Sequence, residues 1–368
     1  MKLSIAHKRY TMVGVFSILM ITTFQNCGQP GSIALNSDKV ITDLDDNASP
    51  PPPPPPPVPG YKDFSKTVDV NASSNKVDVL VVVDNSGSMS VEQSSMASRF
   101  GSFINKLNGL DWQVGIVTTD VQSDSINKDG RLINFNRVSR NVITSSDPMA
   151  TAQTAFSETV QRPQGEGSGN EQGVKATYRA LERAQNGGSN VGLIRDGAAL
   201  SVILVSDADE TVNGNQTAGQ ESTFSDKNRA ENLMAYINSQ YPGKTFKFNS
   251  IIVRDNDLAC LNLAGSGNEG YGKNYQKLTN LTSGILGSVC ETDYSGQLSI
   301  IGDNTSETVR SVTLDCNPVD SDKNGSVDLT VRNAANQVLT NYTLNGRIIT
   351  FSQALAIGTY SFSYRCLQ

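Results

Sequence analysis

The sequence predicts an α/β fold, with a doubly wound, mostly parallel central sheet flanked by helices, followed by a small antiparallel β domain. Three observations carry this expectation. Short unbroken apolar runs at Val77–Val83, Val114–Thr118, Leu200–Val205 and Phe246–Val253 suit strands buried on both faces of a parallel sheet. Amphipathic segments with helical spacing alternate with these runs. Beyond residue 310 the pattern changes to brief alternating runs broken by Asn-Gly and Ile-Gly, as in antiparallel strands joined by tight turns.

The chain opens with Lys2, Lys8 and Arg9 ahead of an apolar segment, Met12–Met20, that is too short to span a bilayer. Residues 1–26 therefore read as an export signal. Phe24-Gln25-Asn26-Cys27 follows and resembles a bacterial lipobox, although Gln25 and Asn26 both depart from the usual residues. The resemblance implies that Cys27 is diacylated and holds the mature chain on a membrane. Gly28 after it implies the outer membrane, with the chain on the cell surface or the periplasmic face. An ordinary secretory signal followed by an unrelated cysteine is the alternative. Residues 27–60 form the expected tether, in which eight consecutive prolines run from Pro50 to Pro57. In polyproline II geometry that run is a stiff spacer of about 25 Å.

Composition narrows the chemistry. The only histidine is His7, inside the signal, so catalytic triads, general bases and metal sites built on histidine are excluded from the mature protein. Loss of Lys2, Lys8 and Arg9 leaves 27 basic residues against 36 acidic ones, a formal charge of −9. Such a surface argues against nucleic acid as a partner. Of the five cysteines, setting Cys27 aside leaves an even set, as expected in an oxidising compartment. Three pairings are open. Cys260–Cys290 and Cys316–Cys366 are favoured, because each stays within one predicted domain.

Residues 61–310 are expected to form the α/β domain. Between its first two strands, Met96, Phe100, Phe103, Ile104 and Leu107 make one helical stripe within residues 91–107. Val174, Thr177, Tyr178 and Leu181 repeat the pattern over residues 171–184. Ala230, Leu233, Met234 and Ile237 predict a third helix, and Tyr275, Leu278 and Leu281 a fourth. Residues 311–368 are expected to form a small β-sandwich-like domain with strands at 326–331, 337–343, 348–351 and 360–364 and a hairpin turn at Asn345-Gly346. So short a segment has little core, and a Cys316–Cys366 bridge would help to hold it.

The chemistry is concentrated where apolar runs end. Val79–Val83 gives way abruptly to Asp84-Asn85-Ser86-Gly87-Ser88, a D-x-S-x-S pattern placed where open α/β sheets put their ligand sites. One carboxylate with neutral oxygens suits Mg²⁺, Mn²⁺ or Ca²⁺ and suits zinc poorly. This segment resembles the first loop of a von Willebrand factor A (VWA) domain, a doubly wound, Rossmann-like fold whose D-x-S-x-S opens a metal-ion-dependent adhesion site. The resemblance extends to two further loops. Gly167–Val174 occupies the place of a loop that supplies a Thr, and Ser168 falls at that position, with Asn170 and Glu171 close enough to substitute. Asn170 could equally cap the helix that follows. The third loop, Ser206-Asp207-Ala208-Asp209-Glu210, matches the family's Thr-Asp-Gly with Ser206 and Asp207, while Ala208 replaces the Gly. Asp209 and Glu210 are expected to be solvated rim charges.

The resemblance thus implies a divalent cation, Mg²⁺ foremost, on Asp84, Ser86, Ser88, Ser168 and Asp207. It further implies a partner protein that offers an Asp or Glu carboxylate. The function expected is adhesion or protein binding at the cell envelope. A periplasm-facing scaffold and a metal-free binding module are the alternatives; a third class is a hydrolase with Ser86 or Ser88 as nucleophile and a carboxylate or a lysine as base, Lys76 being the only lysine nearby in sequence. Asp320–Asp328 looks like an EF-hand calcium loop but has Val331 where the bidentate Glu belongs, so a polar turn is the expectation there.

Overall fold

The computed structural model describes residues 60–71, 74–121, 128–163, 167, 169–212, 215–216, 224–264 and 270–368. The expected signal, Cys27, most of the tether and Ser168 lie outside them. The chain divides into two compact units, Met1–Pro57 and Val58–Gln368, and all the described residues belong to the second.

In chain order the elements are β1 (Tyr61–Val70), β2 (Lys76–Val83), α1 (Ser90–Ile104), β3 (Asp111–Thr118), β4 (Ile143–Thr144), α2 (Met149–Val160), α3 (Gly173–Arg183) and β5 (Ala199–Val205). A short ribbon of β6 (Thr211–Val212) and β7 (Asn215–Gln216) comes next, followed by α4 (Ala230–Gln240), β8 (Phe246–Ile252), α5 (Leu258–Ala264), α6 (Lys273–Leu281), β9 (Leu286–Ser288) and α7 (Ser295–Arg310). The last strands are β10 (Ser311–Thr313), β11 (Leu329–Arg332), β12 (Val338–Leu339), β13 (Tyr342–Asn345), β14 (Ile348–Phe351) and β15 (Gly358–Leu367).

The central sheet runs β4-β3-β2-β5-β8-β9, parallel except for β4. The middle strand, β2, is buried on both faces, which explains its unbroken apolar run. Val77, Val79, Val81 and Val83 face a core shared with Phe100, Phe103, Phe156 and Ile301. Leu80 and Val82 face the opposite core with Val174, Leu181, Leu233 and Leu278. Helices thus cover both faces, and the α/β class holds. The chain passes from β2 outward to β3 and then returns to β5 on the other side of β2. The order reverses between β2 and β5, and the carboxyl ends of those two strands carry Asp84 and Ser206-Asp207.

The C-terminal lobe consists of two sheets, β1-β15-β11-β12 and β10-β14-β13, around Val312, Leu314, Val331, Ile349, Phe351, Phe362 and Tyr364. Cys316–Cys366 and Cys260–Cys290 are both bonded. The hairpin forms as expected: Asn345 pairs with Ile348, and Gly346 takes the left-handed conformation the turn requires (φ 58°). One strand lies elsewhere than the sequence division put it. Residues 61–70, assigned to the α/β segment, pair antiparallel with β15 from Tyr61↔Leu367 to Val70↔Gly358. Phe64, Val68 and Val70 turn inward from this strand, an alternation that marks a β-lobe strand rather than a doubly buried one.

The calcium-like loop folds on itself. Asp320 accepts from the backbone of Asn324 and Gly325, and Ser321 N donates to Asp328. These bonds are those of a polar turn.

Candidate cation site

The site is built from strand ends pinned to one another through backbone hydrogen bonds. Asp84 N donates to Val205 O, Thr119 N to Val83 O and Ser206 N to Ile251 O, which aligns the ends of β2, β3, β5 and β8. The second loop reaches this group through Gln172 N, which donates to Thr119 O, and Thr211 N, which donates to Glu171 O. Gly167 shows how closely that loop lies on the first. A Cβ there would fall 2.0 Å from Asn85 O, so only glycine fits.

Asp84 is fully buried at the centre. Its Oδ1 accepts from Ser86 N at 2.8 Å, and its Oδ2 accepts from Ser206 Oγ at 2.6 Å. Gln93 Nε2 holds the Asp84 carbonyl at 2.7 Å, which ties the first turn of α1 to the loop. Ser86 Oγ and Ser88 Oγ stand 3.0 Å apart at the more exposed rim, and the Ser86 hydroxyl also reaches the Asp84 carboxylate. The structure therefore brings Asp84, Ser86, Ser88, Ser206 and Asp207 to one end of the sheet. Ser168 lies outside the described residues.

Among the described residues of the second loop, Glu171 faces Asp84. It is only 2% exposed, and Thr119 Oγ1 donates to its Oε2. Among the described residues no N–H or hydroxyl donates to Oε1, and the Glu171 and Asp84 carboxyl groups lie close enough to share a proton. Burial, then the charge of Asp84, holds the Glu171 carboxyl well above the ordinary carboxylate range, and Asp207 pushes the same way. Burial also raises Asp84, against the hydrogen bonds from Ser206 and Ser86. The groups acting most strongly on this pair are hydroxyls, backbone amides and other acids, and none is basic. From the first turn of α1, Glu92 adds a half-buried carboxylate raised by burial and by Asp84.

Two expectations are corrected. Asp209 and Glu210 are not solvated rim charges; both are buried. Glu210 accepts from Val174 N, Lys175 N and Asn228 Nδ2, at 2.8, 3.1 and 2.7 Å, and so serves the orphan amides at the start of α3. Asp209 accepts from Asn274 N and Nδ2 at the start of α6. A helix N-terminus favours a carboxylate, which explains why two acids go inside. Asn170 accordingly does not cap α3. Its Oδ1 accepts from Thr211 Oγ1 at 3.2 Å, and Glu210 has taken the cap. Lys76 begins β2 and Ser86 follows its far end, about 25 Å away along a strand of this length, so Lys76 does not reach that serine.

Among the described residues, no three of Asp, Glu, His and Cys are grouped so as to hold a metal ion by themselves. Any cation here must take hydroxyl oxygens as well, which the Ser86–Ser88 pair offers. The donor set is all oxygen, hard and acidic, and one buried carboxylate oxygen is unmatched. That set fits Mg²⁺, Mn²⁺ or Ca²⁺.

These burials make stability depend on pH. Burial pushes Glu210 up to about 8 and Asp209 up to about 6, and raises Asp84 and Glu171 as well. For each acid the folded value exceeds the unfolded one, so its proton stabilises the fold fully below the unfolded value, and that contribution is lost as pH rises through the folded value. In chelator, the unfolding midpoint should therefore decline as pH rises from about 5 through about 8. A flat midpoint over that window would contradict these assignments.

No protein-family model matches the chain, and no curated protein sequence does. Among solved structures it is similar to the pilus adhesin SpaC from Lactobacillus rhamnosus GG, at 14% identity and TM-score 0.37, covering 83% of this chain and 41% of that one. It is also similar to proximal thread matrix protein 1 from the mussel byssus with a zinc-occupied MIDAS motif, at 13% identity and TM-score 0.35, covering 68% and 55%. A third is the pilus adhesin RrgA from Streptococcus pneumoniae, at 11% identity and TM-score 0.29, covering 83% and 58%. The chain thus spans between 41% and 58% of the length of these proteins. The fold class rests on the order and direction of the strands, and the site rests on its own geometry.

Proposed function

We propose that this chain is a protein-binding module of the cell envelope that engages its partner through a divalent cation, Mg²⁺ foremost. The observation that carries the reading is a pair of buried carboxyl groups, Asp84 and Glu171, on which no basic side chain is among the groups acting most strongly, beside two hydroxyls at the switch point of the sheet. A buried acid pair of this kind must either share a proton or take up a cation, and at neutral pH a divalent ion can replace that proton. Asp84, Ser86 and Ser88 would hold the ion, with Asp207 and a second-loop residue completing the set. A bound divalent cation supplies an electrophilic position open to an oxygen of another protein. This chain's residues hold their own oxygens in place through Gln93, Ser206 and Thr119. On this reading a lipid on Cys27 anchors the chain to the outer membrane and residues 28–60 space the domain from it. The adhesive role of the two pilus proteins belongs to those proteins.

Affinity capture from envelope extracts tests the proposal. With Mg²⁺ present the chain should retain a specific protein and release it on addition of EDTA. Retention that is indifferent to EDTA would overturn the reading.

A further inference from the structure

We infer that Glu171 is the second-loop ligand of this site and that its charge turns the open position away from a partner carboxylate toward a neutral oxygen, such as a peptide or side-chain carbonyl. The inference rests on the cation-dependent function proposed for this site and concerns the kind of group the partner must present.

Three observations single out Glu171. Its backbone is fixed: its carbonyl accepts from Thr211 N at 2.7 Å, the next amide donates to Thr119 O, and it bridges to Asp120. Its carboxyl group is buried and within hydrogen-bonding reach of Asp84; Oε2 accepts from Thr119, and among the described residues no N–H or hydroxyl donates to Oε1. Asn170, its neighbour, is turned to Thr211 instead. Two buried carboxyl groups set side by side must share a proton or be bridged by a cation, and a bridging cation would take Glu171 as a ligand together with Asp84.

Charge counting gives the consequence. The VWA resemblance implies a neutral hydroxyl on this loop, so that the ion keeps positive charge for an incoming acid. Here Asp84 and Glu171 together cancel a divalent charge, and the field of Asp207 is felt at Glu171 as well. The loaded site is then neutral to negative, in surroundings where charges are poorly screened. A carboxylate approaching it meets repulsion, whereas a neutral oxygen can still coordinate. This is discrimination by an unfavourable charge placed against one class of ligand.

Water-proton relaxation of the full chain titrated with Mn²⁺ reads both parts. Glu171→Gln should weaken Mn²⁺ binding roughly tenfold or more, because it removes a charged ligand. With Mn²⁺ saturating, acetate in large excess should not displace metal-bound water from the wild-type protein but should do so in Glu171→Gln. Unchanged Mn²⁺ affinity in Glu171→Gln would overturn the inference. So would displacement of water by acetate in the wild-type chain, a measurement that needs no variant to fold. If the wild-type chain binds no Mn²⁺ at all, the cation reading itself fails, which is a separate result from either of these.

Discussion

Asp84→Ala should remove divalent-cation binding while leaving the protein folded. The carboxylate is the central acceptor of the site, held by Ser86 N and Ser206 Oγ, so its loss deletes the ligand that the strand ends are arranged to present. Loss of a charged oxygen ligand should weaken binding by on the order of a hundredfold or more, beyond the concentration range of an ordinary titration. Stability should change far less. Truncation leaves Ser86 N without its acceptor, at about 1–3 kcal/mol, but removes a buried charge facing Glu171, which offsets it. Ser206 Oγ keeps Ala208 O as an alternative acceptor at 3.2 Å. Calorimetric titration with Mn²⁺ together with circular dichroism separates the two effects. Retained binding would remove Asp84 from the site, and an unfolded variant would make its role structural.

Glu210→Ala should do the reverse, with a large loss of stability and only an indirect effect on the cation. One fully buried carboxylate serves Val174 N, Lys175 N and Asn228 Nδ2, and thereby ties the third loop to the start of α3 and to the segment before α4. Each abandoned donor costs about 1–3 kcal/mol. The relief from no longer burying an acid returns part of this, so a net loss of roughly 2–4 kcal/mol is expected. Glu210→Gln keeps an acceptor oxygen and should lose clearly less. Denaturant unfolding with an unchanged slope is the appropriate measurement. Equal losses in the two variants would show that the hydrogen bonds are not what Glu210 contributes.

The contrast between these two acids shows what could be read from the chain. Asp84 was legible because strand periodicity and a spaced set of oxygen-bearing residues coincide: an apolar run that stops at an acid has to leave that acid at the sheet's edge. The position of Asp207 at the end of β5 was legible on the same kind of local evidence, and the two disulfides because each pair stays within one predicted domain. Glu210 and Asp209 were not. A charge a few residues beyond a strand looks solvent-facing unless the helix that receives it is known, and the starts of α3 and α6 are brought there only by tertiary structure. Thr119 was overlooked because it contributes one hydroxyl at the end of β3 with no pattern around it. Glu171 could be named only as a substitute for Ser168, since sequence spacing does not tell which of neighbouring loop side chains turns inward. Strand β1 escaped for a different reason. Its partner β15 lies at the far end of the chain, and only the alternation of Phe64, Val68 and Val70 hinted at it.

The measurement that bears most directly on the account is the thermal unfolding of the EDTA-stripped chain with and without Mg²⁺, Mn²⁺ and Ca²⁺. An ion that binds only the folded state at about 100 times its dissociation constant adds about 2.7 kcal/mol. At least one of the three should therefore raise the unfolding midpoint, EDTA should reverse the shift, and Asp84→Ala should abolish it. A midpoint unmoved by millimolar amounts of all three ions would mean that the acids of this site hold no cation.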